Sequence, residues 1–148
     1  MRKGLLFSLL IALSSCSNED PTINELPQNN CDQSTVISSS EYAATNANLN
    51  FINQLNIVSN CLKVDLADSG CDGNSWTYKL VTDGVIDYTT VPATRKLKLE
   101  IINPELCLAI FNKQRSFDIE NLKVNGQSSV KLIIEYFNHQ TKEITYNY

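Results

Sequence analysis

From residue 51 onward the chain alternates apolar and polar residues in short runs, each ended by a turn signal. Leu55 and Ile57 alternate with Asn56 and Val58. After Ser59-Asn60, Leu62, Val64 and Leu66 alternate with Lys63, Asp65 and Ala67. A period of two places successive side chains on opposite faces of a strand, so these two runs predict a hairpin with one buried face. Trp76, Tyr78 and Leu80 share one face of a third run, 75–82. Asp83-Gly84 predicts a tight turn, with 85–90 as the partner strand. Leu97, Leu99 and Ile101 alternate with Lys98, Glu100 and Ile102. The run 106–111 is apolar on both faces and predicts a central strand. A strand over 119–124, a turn at Asn125-Gly126 and a last hairpin, 130–137 with 142–148 joined near 138–140, complete the pattern. A short strand near 35–38 and a helical turn capped by a serine precede it. No long helix is predicted. Eight or nine short strands with turns every 8–12 residues specify an all-β domain, a small antiparallel β-sandwich of immunoglobulin-like or other Greek-key type. A barrel is the alternative.

The first residues read differently. Met1-Arg2-Lys3 precedes the apolar run Leu5–Ala12, and Leu13-Ser14-Ser15-Cys16 follows it. A positive start, a short apolar segment and small residues at a cut site are the order of a secretory signal, and the run is too short to span a bilayer as a helix. With cysteine at the cut this resembles the lipobox of a bacterial lipoprotein. The resemblance implies cleavage after Ser15 and a lipid on the Cys16 thiol, and the membrane as a partner through that anchor. Ser17-Asn18-Glu19-Asp20 resembles the acidic export signal of Bacteroidota lipoproteins. It implies an outer-membrane location, with exposure at the cell surface as the further expectation. The expected organisation is a signal peptide over 1–15, an anchor and linker over 16–30 around Pro21 and Pro27, and the sandwich over 31–148.

Cleavage would remove Arg2 and Lys3 from the 12 basic groups and leave the 16 acidic ones, a net charge of −6. An acidic domain argues against nucleic acid as a partner, because phosphate neutralisation needs a basic patch.

Once Cys16 is lipidated, four cysteines remain. In an exported chain they predict two disulfides, for which three connectivities exist. No CxxC pair is present and His139 is the only histidine, so a zinc site is not expected. Cys61, Trp76 and Cys107 follow the order seen in immunoglobulin domains. However, Glu105 stands two residues before Cys107, where that family places tyrosine, and Cys61 falls on the polar face of its strand. The expected pairs are therefore Cys71–Cys107 and Cys31–Cys61.

The candidate sites are few. Asp68 and Asp72, with Asp65, Gly70, Gly73 and Asn74, hold a fragment of a calcium loop, but no glutamate stands at the twelfth position. A solvated turn is the simpler account. His139 falls in a turn with no nucleophile motif around it. Carboxylates could serve a small hydrolase, but spacing selects no pair. Tyr146 and Tyr148 share a face of the terminal strand. On an edge they would offer rings and a free backbone to a partner. No catalytic constellation, metal site or cofactor motif is expected. The sequence points to a non-enzymatic binding module with a protein or glycan partner. A carboxylate-dependent hydrolase and a purely structural envelope component are the alternatives.

Overall fold

The computed structural model describes residues 30–148. The lipobox, Cys16 and the linker up to residue 29 lie outside the described residues. The elements are β1 (Gln33–Ser34), β2 (Val36–Ile37), α1 (Ser39–Ala44), β3 (Phe51–Val58), β4 (Cys61–Gly70), β5 (Thr77–Thr82), β6 (Thr94–Ile102), β7 (Ala109–Asp118), β8 (Ser129–Tyr136) and β9 (Gln140–Asn147). Two hydrogen-bonded sheets face each other, in the orders β1-β7-β4-β3 and β2-β5-β6-β8-β9. This is the expected sandwich, not a closed barrel.

The alternation fills the space between the sheets. Leu62, Val64 and Leu66 of β4 lie under Leu80 of β5, Leu97 and Leu99 of β6, and Leu132 and Ile134 of β8, all fully buried. Burying a leucine or isoleucine of this kind is worth about 1.5–3 kcal/mol. Two charged residues stand on these inward rows, Asp68 of β4 and Arg95 of β6. Arg95 begins the inward row of β6, and its guanidinium closes that end of the core through the Leu122 and Gly84 carbonyls, each at 3.0 Å. The β3–β4 hairpin turns through Ser59-Asn60, with Ser59 at φ 56°, the positive φ that two-residue hairpins need. The β8–β9 connection likewise puts Asn138 and His139 at φ 54° and 58°. The Ser38 hydroxyl caps α1 by accepting from the Glu41 amide.

Several details depart from the sequence reading. The sheets are mixed: β1 runs parallel to β7, β2 to β5, and β6 to β8. The β6–β8 pair follows from a crossover, since the chain visits the other sheet as β7 and then returns beside β6. The stretch 85–90 is not a strand. Asp83 Oδ1 accepts from the Val85 amide, and Asp87 Oδ1 accepts from the Thr89 amide and hydroxyl. These local bonds compete with a ladder, and β2 and β6 already flank β5. The run at 106 begins its strand only at Ala109, which then extends through the polar stretch to Asp118. Residues 119–124 form a 3₁₀ turn over Glu120–Leu122. It buries Ile119, Leu122 and Val124 on one side.

Candidate interaction surface

β4 spans the sandwich from Cys61 to Gly70, about 30 Å at strand rise. Its start lies beside the first described residues, because Cys31 is disulfide-bonded to Cys61 (Cα–Cα 5.5 Å). Its end leads into the loop 71–76 at the opposite pole. There the second disulfide, Cys71–Cys107 (Cα–Cα 4.8 Å), ties that loop to the connection between β6 and β7. Both pairs are those expected from the sequence.

Glu105 locks the same pole a second time. Its Oε2 accepts from the amides of Cys71 (2.5 Å), Asp72 (3.1 Å) and Gly73 (3.0 Å). Its Oε1 accepts from the Ser75 hydroxyl at 2.7 Å. Successive amides turned toward one point form a nest for an anion, and Gly73 at φ 69° permits the turn. Desolvation pushes the Glu105 carboxyl upward, but the Ser75 hydroxyl and the three amides outweigh it and hold the group at about 2, below the usual 4.5. Asn103 adds a third tie, donating to the Ser69 carbonyl (2.6 Å) and accepting from the Glu105 amide (2.9 Å). Gly70 lies beneath this assembly. A Cβ there would meet Trp76 Cζ2 at 2.6 Å.

Held by these ties, the connection presents its side chains to solvent. Leu106 is 93 % exposed and Leu108 is 89 % exposed; Ile110 follows at 57 %. Sequence reasoning buried this run in a central strand. The fold instead exposes it at the pole farthest from the first described residues. Three large aliphatic side chains within five residues thus stand in solvent, an apolar surface of the kind that marks contact sites.

The predicted site residues are dispersed. Asp68 is buried and satisfied: Oδ1 accepts from Asn50 Nδ2 (2.6 Å) and the Ser69 amide (2.7 Å), and Oδ2 accepts from the Asn50 amide (3.1 Å). Asp72 Oδ1 accepts from the Asn74 amide. Asp68 thus ties β4 to Asn50 and Asp72 serves its own loop, and no metal-holding cluster occurs among the described residues. Tyr146 is corrected outright. It is fully buried, with its hydroxyl donating to Asn60 Oδ1 at 2.6 Å, so its ring is not a contact surface. Tyr148 is 36 % exposed, and its hydroxyl accepts from the Val124 amide at 2.7 Å. β9 is indeed an edge strand.

His139 stands at the rim of a groove of about 270 Å³ between residues 45–48 and 137–139, floored by Lys98 and Glu135. Its Nδ1 lies 2.6 Å from Glu135 Oε1. Lys98 Nζ donates to the Tyr42 and Thr45 carbonyls, both at 3.1 Å. It serves the C-terminus of α1, where a cation offsets the unpaired carbonyls.

The fold and the exposed pole define an all-β sandwich of mixed sheets with a doubly stapled apolar pole. Two solved structures share this fold. One is a protein described as toxin-related from Parabacteroides distasonis ATCC 8503 (TM-score 0.52, 15 % identity). It is matched over 78 % of this chain and 60 % of its own. The other is the protein of unknown function DUF1344 from Bacteroides vulgatus ATCC 8482 (TM-score 0.53, 13 % identity), matched over 78 % of this chain and 56 % of its own. The chain thus spans less than two thirds of either protein, and at these identities the likeness is one of fold. No protein-family model and no curated protein matches the chain.

Proposed function

We propose that this protein is a lipid-anchored lipoprotein of the outer membrane whose domain is a non-enzymatic binding module, with the pole around Leu106 and Leu108 as its contact surface. The observation that carries the reading is the exposure of these two leucines on a segment fixed by a disulfide, a carboxylate nest and Asn103. A surface that costs exposed apolar area and is still held rigid suits recognition, because a preordered segment loses little entropy on binding. The position agrees with an anchor at Cys16. The described chain starts beside Cys31, and the leucines lie at the far end of β4, turned away from a membrane at the N-terminal side.

The test has two parts on the same cells. Mass spectrometry of the purified protein reads cleavage and lipid at Cys16. A photo-crosslinking residue at Leu106, compared with one at Thr145 on β9, reads contact at the pole. Diacylglycerol on Cys16 and a discrete adduct from position 106 alone support the proposal. An unlipidated Cys16, or equal labelling from both positions, overturns it.

A further inference from the structure

The apolar pole continues into an open backbone edge. The Ser116 amide donates to Asp32 Oδ2 (2.8 Å), and the Asp118 carbonyl accepts from the Thr35 amide (3.1 Å). Residues 116 and 118 therefore turn their backbone groups away from β4. In a strand the N–H and C=O of one residue point to the same flank, and the flank alternates along the chain. Ile110, Asn112 and Gln114 must face the same way as Ser116. β1 pairs only with Phe117 and Asp118, so among the described residues no strand covers that flank over 109–115. The Gln114 carbonyl is met by Arg115 Nη1 at 2.7 Å. The amides of 110, 112 and 114 and the carbonyls of 110 and 112 have no backbone partner among the described residues.

The two long strands that end the sheets, β3 and β9, are guarded. β3 carries a bulge between Ile52 and Gln54. Lys142 of β9 reaches across to donate to the Asn53 carbonyl at 2.7 Å. A bulge and a lysine are common protections of an edge. On β7, Lys113 and Arg115 instead lean inward. Lys113 Nζ donates to Asn74 Oδ1 (3.0 Å), and the Arg115 guanidinium lies 4.9 Å from the Tyr78 ring centre. Neither makes an ion pair with a carboxylate among the described residues. The strip is thus apolar at Leu106, Leu108 and Ile110 and cationic at Lys113 and Arg115.

The geometry points to β7 as the acceptor of an added strand: an extended segment of another polypeptide, apolar where it meets 109–111 and acidic where it meets 113–115, pairing with the backbone of Ile110, Asn112 and Gln114. Main-chain bonds give such a complex its affinity, and alternate side chains give it selectivity. The inference deepens the binding-module reading and rests on it.

The probe is the peptide acetyl-Glu-Thr-Glu-Val-Ile-Val-Leu-amide, added to the full chain in mild detergent and read by amide hydrogen exchange. Expected is slowed exchange at 110, 112 and 114, with no change at 111 and 113, which already face β4. Replacing both glutamates of the peptide by lysine weakens binding roughly tenfold, because like charges then face each other. The variant Asn112→Pro removes one edge amide without touching the β4 ladder. It also drops the exposed bond from Asn53 Nδ2 to Asn112 Oδ1, so the melting temperature should stay within a few degrees while the slowed exchange is lost. If millimolar peptide leaves 110, 112 and 114 unprotected while the cellular adduct at position 106 persists, strand addition is wrong and the leucines bind by side chains alone. If the adduct also fails, the binding-module reading fails with it. Concentration-dependent dimerisation that Asn112→Pro abolishes would make a second copy of this chain the occupant and overturn the heterologous partner.

Discussion

Replacing Cys71 and Cys107 together by serine isolates what the polar staple contributes. The two residues are 36 apart in sequence. In the chain-entropy model a closed loop of that length removes about 12.8 cal/mol/K from the unfolded ensemble, or about 3.8 kcal/mol at 25 °C. The native pole should survive the change, because Glu105 still holds the loop 71–73 through its amides and Ser75. Most of the loss therefore appears as a freer unfolded chain, and the native structure changes little. Urea unfolding measures it. With an m-value of about 1.5 kcal/mol/M, the midpoint should fall by about 2.5 M. The Cys31→Ser/Cys61→Ser variant, with a separation of 30, should lose nearly as much, about 3.6 kcal/mol. A drop below about 0.5 M for the Cys71/Cys107 pair would refute the argument. It would mean either that the unfolded chain keeps this loop closed without the bond or that the disulfide strains the native pole by as much as it restrains the unfolded chain.

Other outcomes follow from the same contacts. The Glu105 pKa is depressed in the folded state, so its contribution is present above the unfolded value near 4.5 and is lost as pH falls toward 2. Glu105→Gln should therefore lower the urea midpoint at pH 7, and the gap to the parent should shrink steadily as pH falls from 4.5 to 2. Leu132→Ala should cost about 2–5 kcal/mol in chemical denaturation, whereas Leu108→Asp, on the exposed pole, should leave the melting temperature within a few degrees while abolishing the crosslink from position 106. Gly70→Ala forces a methyl group against Trp76 and the Glu105 carboxylate and should cost about 1–3 kcal/mol. Millimolar calcium should not shift the melting temperature, because the Asp68 carboxylate is already committed to Asn50 and Ser69; a shift of several degrees would restore the calcium reading.

What the sequence disclosed follows a physical divide. The hairpin from 51 to 67, the buried row of β6 and the last hairpin were legible because one wet face and one dry face impose a period of two. The cysteine pairing was legible because the polar position of Cys61 and the glutamate before Cys107 spoke against the immunoglobulin bridge. β7 was misplaced because Asn112-Lys113-Gln114-Arg115-Ser116 has little strand propensity of its own. Ten register pairs with β4 impose the conformation. Apolar faces on both sides of 106–111 read as a buried strand, since alternation cannot tell a run enclosed by neighbours from one left bare. The nest at Glu105 left no pattern, because its donors are backbone amides that any residue carries. Tyr146 was read as surface because its strand is an edge. An edge strand still has an inner face, and Tyr146 lies on it.

The disulfide at the N-terminal pole also has a mechanical meaning. A load applied to the chain at residue 30 meets Cys31 at once and passes through the sulfur bridge to Cys61, the first residue of β4. Everything from residue 32 to 60, including β1, β2, α1 and β3, lies in a loop that this covalent path bypasses. The pull arrives at a strand held on both flanks, by β3 and by β7. It acts along the strand axis, so its hydrogen bonds are sheared together and are not peeled one by one. Without the bridge, the same pull would strip the two-residue β1 and β2 first and then unwind inward. With it, the domain is gripped by its middle, and a pull between residue 30 and the far pole loads β4 before it reaches the short first strands.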